Sequence, residues 1–211
     1  GANIGTICIP AIKRNLVKSC KAIEPEIKNF ELLKTNIVFN NLEEKIEIFN
    51  CALADKNEQN VKMELAKDNS GDHRIKVNST LNLRGEKNRE VIDINTRTFD
   101  SLFPNVSQHT DLVWIDTQGY EAKILDGSQN VIKNKVPIVI EFWPYGLKRN
   151  GDWEKIFQMI KLFDYYIDLS SPELNAIEIN EKSMEDLKNG WEEENENKHS
   201  LFTDLILLRN E

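Results

Sequence analysis

Three acidic residues follow predicted buried strands, where the side chains of an α/β sheet do chemistry. Glu24, Asp116 and Glu141 each come directly after a short apolar run. Ligands of such sheets bind in the crevice beyond the carboxyl ends of the strands. A carboxylate there can accept hydrogen bonds from sugar hydroxyls or remove a proton from a reacting group. The three acids therefore predict a ligand site at one edge of the sheet.

The chain opens with a glycine turn, Gly1-Ala2-Asn3-Ile4-Gly5. Glycines let the backbone approach a ligand closely, and the helix that follows points free N–H groups at the same place. Glu24 lies about 20 residues further on, the separation at which an acid accepts hydrogen bonds from the ribose of a nucleotide. A buried strand normally leads into such a turn, so we expect the first strand of the sheet to be missing from this chain.

Each acid also has a simpler interpretation. Glu24 could merely cap the helix that starts at Pro25, and Asp116 could belong to an ordinary surface loop. Glu141 leads into the aromatic segment Phe142-Trp143-Pro144-Tyr145, whose rings either stack on a ligand or pack into a corner of the core. The spacing alone leaves these alternatives open.

Helical and extended patterns alternate along the chain, which is typical of an α/β fold. Helices show apolar residues at helical spacing, and strands are short apolar or alternating runs. Four helices are predicted, and two of them span residues 6–16 and 121–134. A third starts at Pro25, and its buried face contains Ile27, Phe30, Leu33 and Ile37. The fourth is capped by Asp152, and its buried residues are Trp153, Ile156, Phe157, Ile160 and Phe163. The predicted strands are 19–24, 45–54, 61–65, 90–97, 112–115, 138–140, 165–167 and 202–208.

The middle of the chain, residues 55–103, departs from this alternation. Its two strands alternate polar and apolar residues, and the polar loop 68–74 follows the first of them. We interpret this segment as a β-rich insertion in a single domain that spans residues 1–211. By contrast, the runs 112–115 and 138–140 are continuously apolar, which predicts central parallel strands buried on both faces.

Composition argues against several classes of function. The formal charge is -8, and the 27 basic residues are scattered among 35 acidic ones, so we expect no nucleic-acid-binding surface. No apolar run reaches the roughly 18 residues of a membrane span and no secretory signal is visible, so we expect a cytoplasmic protein. Cys8, Cys20 and Cys51 show no paired spacing, which favours reduced thiols. The acidic stretch 192–196 predicts a solvated connection.

Five segments together resemble one enzyme family. They are Gly-Ala-Asn-Ile-Gly at 1–5, Ala-Ile-Glu-Pro at 22–25, Asn-Cys-Ala-Leu-Ala-Asp at 50–55, Ile-Asp-Thr-Gln-Gly-Tyr-Glu at 115–121 with Leu125 and Gly127, and Ile-Glu-Phe at 140–142. In this order they resemble the FkbM-type methyltransferases. The resemblance implies a class I methyltransferase that uses S-adenosylmethionine, with a Rossmann-like, mostly parallel seven-stranded sheet flanked by helices. It also implies an acceptor hydroxyl on a sugar, glycan or related natural product.

The same resemblance assigns roles to residues of this chain. The glycine turn would line the methionine part of the donor, Glu24 would hold the ribose, and segment 50–53 would border the adenine. Asp116 would lie near the donor's amino group or the reaction centre. Gln118 stands where the family's usual Asp-x-Glu-Gly motif has glutamate, so a charged role is not expected there. The implied donor-binding residues are Gly1, Ala2, Asn3, Gly5, Glu24, Asn50, Cys51, Ala52, Asp116 and Gln118.

Methyl transfer to an alcohol calls for a general base, because the hydroxyl has a high pKa. His73, with an ordinary pKa of about 6.5, is the best-suited candidate by residue type. Its loop resembles a segment that some of these enzymes place over the pocket. His109 and His199 lie in strongly polar sequence. Asp116 and Glu141 are the alternative bases, and no spacing among these side chains indicates a metal site.

Two other classes of protein stay open. A nicotinamide-dependent oxidoreductase also uses a glycine turn and a ribose-binding acid, but it should show Gly-x-Gly-x-x-Gly, and Thr6-Ile7-Cys8 supplies no further glycine after Gly5. A non-catalytic module that binds a nucleotide or a glycan is the stronger rival. We expect the acceptor's contacts to come from the insertion and from residues 142–150, the segments least constrained by the fold.

Overall fold

The computed structural model describes residues 1–79, 88–106, 110–195 and 201–210. Their contacts divide them into two compact units. The N-terminal unit contains the described residues of 1–76 and 88–97, and the C-terminal unit contains those of 77–79 and 98–210. His109, His199, Glu196 and positions 80–87 of the predicted insertion lie outside the described residues.

The N-terminal unit begins with a short parallel sheet and two helices. The elements are α1 (Cys8–Lys13), β1 (Cys20–Ile23), α2 (Ile27–Phe39) and β2 (Ile46–Phe49). β1 pairs with β2 in parallel. Buried side chains from all four elements, including Ile9, Ala22, Leu33 and Ile46, form one apolar cluster. This cluster packs the two helices against the parallel β1–β2 sheet.

The buried face of α2 differs from the predicted one. Leu33 and Ile37 are buried as predicted, but Ile27 is 52% exposed at the first residue of the helix. Asn29 is buried as well, and its side-chain amide donates a hydrogen bond to the Ser70 carbonyl oxygen at 3.0 Å. A hydrogen-bonded amide costs little to bury. The spacing of apolar residues therefore identified the helix but misplaced the start of its buried face.

A second sheet of the N-terminal unit has the strand order β3-β6-β4-β5. Its strands are β3 (Ala52–Leu53), β4 (Glu58–Leu65), β5 (Arg74–Ile75) and β6 (Glu90–Arg97). β6 has the predicted bounds, and β3 pairs with it in parallel, whereas β4 is antiparallel to both its neighbours. The predicted strand 45–54 is wrong as a single strand, because it divides between β2 and β3. The division falls at Asn50, whose side-chain amide bonds to the carbonyl oxygens of Glu24 and Pro25.

The C-terminal unit contains a mixed sheet with the strand order β10-β9-β11-β8-β7. Its strands are β7 (Val113–Ile115), β8 (Ile138–Phe142), β9 (Tyr165–Asp168), β10 (Ile177–Glu178) and β11 (Thr203–Leu208). β7 and β8 are parallel, whereas β11 runs antiparallel to β8 and β9. All of β8 is buried. Leu112 and Trp114 are 45% and 41% exposed, so burial of the first run on both faces is a wrong prediction.

Helices of the C-terminal unit lie between these strands along the chain. They are α3 (Phe99–Leu102), α4 (Glu121–Asp126), α5 (Gln129–Lys133), α6 (Pro144–Asn150), α7 (Trp153–Ile160) and α8 (Glu181–Asn195). The predicted helix 121–134 is two helices, since Ser128 interrupts it and donates its hydroxyl to the Ile124 carbonyl oxygen at 2.6 Å. The buried stripe predicted for α7 is confirmed. The predicted connection at 192–196 is helical as far as Asn195.

The structure confirms an α/β fold and corrects the predicted sheet. Instead of one mostly parallel seven-stranded sheet, the described residues form three sheets of two, five and four strands. The two larger sheets are mixed, because β11 and β4 each run antiparallel to their neighbours. Within the described ranges, no helix is long and apolar enough to cross a membrane. The single domain over residues 1–211 stays a prediction.

Candidate functional site

Glu24 anchors the glycine turn of the N-terminal unit. One carboxylate oxygen accepts the Asn3 backbone N–H at 2.8 Å, and the other accepts the Glu26 backbone N–H at 3.0 Å. The side chain is only 4% exposed, and this burial raises the pKa of Glu24 although both N–H groups lower it. Each ionised oxygen has capacity for a further hydrogen bond. Glu24 can therefore hold the turn and accept hydroxyl groups of a ligand at the same time.

The backbone of the turn has the special conformation that its glycines predict. Gly5 has φ +95°, and a Cβ there would lie 2.5 Å from the Ile9 side chain, so α1 packs closely against it. Asn3 has φ 49°, in the left-handed region that asparagine tolerates better than most residues. Its Oδ1 is buried and has no hydrogen-bond partner among the described residues. A buried acceptor without a partner is suited to accept a hydrogen bond from a ligand.

Asn50, Cys51 and Ala52 lie where β2 gives way to β3. The Asn50 amide ties this point to the end of β1, at 2.9 Å from the Glu24 carbonyl oxygen. Cys51 and Ala52 are buried, and burial raises the pKa of the Cys51 thiol. A cavity of about 440 Å³ opens beside Asn50 and is also lined by Pro25 and Glu26. The first residue of the predicted adenine-bordering segment thus lines a cavity of the size that small-molecule sites have.

His73 lies in a loop that is held to the N-terminal unit by several hydrogen bonds. Its Nδ1 accepts the Ala66 backbone N–H at 3.1 Å, and Arg74 donates to Asp72 at 2.7 Å. Burial lowers the pKa of His73, which favours the neutral ring at neutral pH. With Nδ1 acting as an acceptor, the ring proton is on Nε2. In this conformation His73 presents a hydrogen-bond donor, whereas a general base must present an open nitrogen.

Asp116, Gln118 and Glu141 meet in the C-terminal unit. The Gln118 side-chain amide donates to Asp116 Oδ1 at 3.1 Å and to Glu141 Oε2 at 3.1 Å. Asp204 on β11 is the register partner of Glu141 on β8. Burial, followed by the negative charges of Asp116, Glu121 and Asp204, raises the pKa of Glu141 to about 9. At neutral pH Glu141 therefore carries a proton that it loses in mildly alkaline solution.

Glu121 is a residue of this cluster that sequence reasoning missed. It is 0% exposed, and its Oε1 accepts hydrogen bonds from the backbone N–H and hydroxyl of Thr117, both at 2.8 Å. Burial raises its pKa to about 7. A sequence signal did exist, since this acid opens the apolar helix α4 directly after a glycine turn, where an acid accepts backbone N–H groups.

The predicted site residues thus fall into two groups. Gly1 to Gly5, Glu24, segment 50–52 and His73 belong to the N-terminal unit, and the Asp116 cluster belongs to the C-terminal unit. Glu24, Asn3 and Asn50 are joined by hydrogen bonds, as are Asp116, Gln118 and Glu141. In the described part of the chain, no group of three or more acidic, histidine or cysteine side chains is arranged to hold a metal ion. The roles of these residues stay predictions.

The sequence matches the methyltransferase FkbM domain over residues 1–167. The chain belongs to the FkbM methyltransferase family. The match runs from the glycine turn through the cluster around Asp116 and ends within β9. It confirms the family that the five sequence segments resemble. No curated protein matches the chain.

Two solved structures match this FkbM-family chain. It is similar to the methyltransferase FkbM from Methylobacillus flagellatus KT, with a TM-score of 0.54 and 14% identity over 98% of this chain and 41% of that one. It is also matched by the StiE O-MT, residues 961–1257, with a TM-score of 0.44 and 10% identity over 98% of this chain and 64% of that one. The first likeness shows the fold. The chain spans less than half of the Methylobacillus protein.

Proposed function

We propose that this FkbM-family chain binds S-adenosylmethionine and methylates a hydroxyl of a sugar, glycan or related natural product. The observation that carries the proposal is the buried Glu24, which holds the glycine turn and keeps acceptor capacity on both oxygens. When bound, S-adenosylmethionine supplies an electrophilic methyl group on a sulfonium centre. Membership of the FkbM family supports S-adenosylmethionine as the donor. The polar side chains of Asp116, Gln118 and Glu141 support a hydroxylated acceptor.

The N-terminal turn fits the donor in its pattern of hydrogen-bond acceptors. Ribose offers two hydroxyl donors, which suit the carboxylate of Glu24. An amino group suits the buried Oδ1 of Asn3, which has no partner among the described residues. The cavity beside Asn50 would take the adenine, in line with the predicted role of segment 50–53. The glycine turn, Glu24 and the cavity beside Asn50 all belong to the N-terminal unit. The proposed binding of the donor therefore depends on that unit alone.

Glu141 is the general base that the geometry favours. The acceptor oxygen gains the methyl group and loses its proton, and a carboxylate with a pKa of about 9 is a strong acceptor for that proton. The Gln118 amide orients the carboxyl group through two hydrogen bonds, at 3.3 and 3.1 Å. Asp116 is the second candidate base in the same cluster. His73 stays a third candidate, with the limitation that its Nδ1 already accepts the Ala66 N–H.

The acceptor class follows from the same polar groups. Carboxyl groups and an amide can form several hydrogen bonds to neighbouring hydroxyls, as a sugar presents them. A protonated Glu141 donates one such bond at neutral pH and accepts one after it ionises. The acids around Glu141 disfavour an anionic acceptor, because like charges repel at close range. A neutral polyhydroxylated compound therefore suits this cluster better than a phosphorylated one.

A turnover assay tests the proposal. The chain is incubated with S-adenosylmethionine and a panel of neutral and phosphorylated mono- and oligosaccharides, and mass spectrometry follows S-adenosylhomocysteine and methylated products. We expect methylated neutral sugars, at rates that rise with pH until about 9, where Glu141 is ionised. Donor binding without methylation of any acceptor would instead support the non-catalytic module. Binding of NAD with hydride transfer would support the oxidoreductase.

A further inference from the structure

Glu121 holds the turn that precedes α4 through a single carboxylate oxygen. Its Oε1 accepts the Thr117 backbone N–H at 2.8 Å, the Thr117 hydroxyl at 2.8 Å and the Gly119 backbone N–H at 3.3 Å. The side chain is fully buried. Hydrogen bonds to an ionised carboxylate are stronger than those between neutral groups. The residue between these anchor points, Gln118, is thereby confined from both sides.

The conformation of the turn shows why such an anchor is needed. Gln118 has φ +59° and Gly119 has φ +95°, and a left-handed conformation is unfavourable for a residue with a side chain. A Cβ on Gly119 would lie 2.4 Å from the carbonyl carbon of Gly146, so the turn is pressed against α6. Asn150 donates its side-chain amide to the Gly119 carbonyl oxygen at 2.6 Å. The turn is thus held by Glu121 on one side and by α6 on the other.

The result of this conformation is the position of the Gln118 amide. It bridges Asp116 Oδ1 and Glu141 Oε2, each at 3.1 Å. An amide between two acids can donate to both and so fixes the positions of their side chains. Glu121 touches neither Gln118's side chain nor Asp116 through any hydrogen bond shown by the described residues. Its charge acts on the pKa of Glu141, but its mechanical influence on the position of the Gln118 amide passes through the backbone of the turn.

We propose that Glu121 is a positioning residue for methyl transfer, which holds the Gln118 amide between Asp116 and Glu141 by fixing the 117–119 turn. The benefit to catalysis rests on the proposed function, but the positioning is a property of the protein alone. The second oxygen of Glu121 is buried and has no hydrogen-bond partner among the described residues. A proton can occupy that oxygen while Oε1 continues to accept. The substitution Glu121→Gln imitates this protonated form.

The experiment observes the Gln118 side-chain amide by ¹H–¹⁵N NMR and assigns it with Gln118→Ala. Glu121→Ala removes the anchor, Glu121→Gln keeps an acceptor oxygen, and Thr117→Val removes only the hydroxyl donor. Asp100→Ala is the matched control, because Asp100 also accepts a backbone N–H, that of Asn130 at 3.0 Å, elsewhere in the C-terminal unit. Thermal melting verifies that each variant is folded.

We expect Glu121→Ala to move the Gln118 resonances to the position of a free glutamine amide and to speed their exchange with water at least tenfold. Thr117→Val should give a smaller shift in the same direction, whereas Glu121→Gln and Asp100→Ala should leave the resonances in place. Unchanged Gln118 resonances in folded Glu121→Ala overturn the inference. If that variant does not fold, unchanged resonances in Thr117→Val overturn it.

A donor titration separates this inference from the proposed function. Wild-type protein that shows the bridged Gln118 amide but binds no S-adenosylmethionine contradicts the function and leaves the positioning intact. In active protein, Glu121→Ala should lower kcat at least tenfold with little change in donor affinity, and Glu121→Gln should restore most of it. Loss of donor affinity in Glu121→Ala with kcat unchanged contradicts the inference.

Discussion

Two turns of this protein are built in the same way and differ in what their anchoring acid can still do. In the N-terminal unit Glu24 holds Asn3, and in the C-terminal unit Glu121 holds Thr117 and Gly119. Both turns contain residues with positive φ, and both acids are almost completely buried. Each acid satisfies backbone N–H groups that the turn leaves without a helical or strand partner.

The difference lies in how the hydrogen bonds are divided between the carboxylate oxygens. Glu24 accepts one N–H on each oxygen, so both oxygens remain able to accept a hydroxyl. Glu121 accepts three donors on Oε1, and its other oxygen is buried with no hydrogen-bond partner among the described residues. Burial raises the pKa of this carboxyl group to about 7. We therefore propose that the first turn binds a ligand through the carboxylate of Glu24. The second turn positions the Gln118 amide between Asp116 and Glu141.

The largest expected effect is on turnover in the C-terminal unit. Glu141→Gln should lower kcat at least 100-fold, because removal of a general base typically costs two to four powers of ten. Donor affinity should change less than threefold, since Glu24 is untouched. Asp116→Asn and His73→Ala are measured in parallel with the same acceptor. If kcat falls further in His73→Ala than in Glu141→Gln, the general base is His73 in the N-terminal unit. That result would contradict the roles assigned to the two turns.

A smaller effect should follow from restoring the family's usual motif. Gln118→Glu places a further carboxylate beside Asp116 and Glu141 and removes an amide that lowers the pKa of Glu141. A neighbouring like charge raises a carboxyl pKa by roughly one unit or more, so turnover at pH 8 should fall roughly tenfold. The pH profile of kcat should shift to higher pH. A profile that shifts to lower pH would show that the amide does not control Glu141.

The smallest expected effect is on stability and depends on pH. The folded pKa of Glu141, about 9, lies above its unfolded value, so between about pH 4.5 and 9 the folded state binds more protons than the unfolded state. Stability from this group is complete below about pH 4.5 and is lost as the pH rises through the folded pKa. The difference in unfolding free energy between Glu141→Gln and the wild type should therefore favour the variant more at pH 9 than at pH 4.5, because glutamine does not ionise. Denaturant unfolding at both values measures this, and a pH-independent difference would contradict it.

Much of the fold could be predicted from local patterns. The strand 90–97, the stripe of α7 and the alternation of helices and strands depend on spacing within one element, which a single sequence contains. The break between β2 and β3 could not be predicted, because it is made by Asn50 reaching the end of β1, a contact between distant residues. The exposure of Leu112 and Trp114 at β7 could not be predicted either. It depends on which elements pack against the strand, and the apolar composition of the run does not reveal them.

The candidate site divides in a similar way. The proximity of Glu24 to the glycine turn was predictable, because the separation of about 20 residues has a physical reason, and its role in binding a donor stays a prediction. His73 was chosen by its residue type, and only the structure shows that Ala66 already occupies its Nδ1. Glu121 was missed because an acid in an apolar helix looks like a surface residue until its burial is known.

The measurement that tests the account most directly is calorimetric titration of the chain and of Glu24→Ala with S-adenosylmethionine. We predict binding to the wild-type chain and at least tenfold weaker binding to Glu24→Ala, which corresponds to about 1.4 kcal/mol or more. Asn36→Ala is the matched control, because Asn36 also holds the turn through the Ile4 carbonyl oxygen at 2.8 Å but presents no carboxylate. It should bind within threefold of the wild type. Absence of binding, preference for NAD, or equal affinity of Glu24→Ala and the wild type would contradict the account.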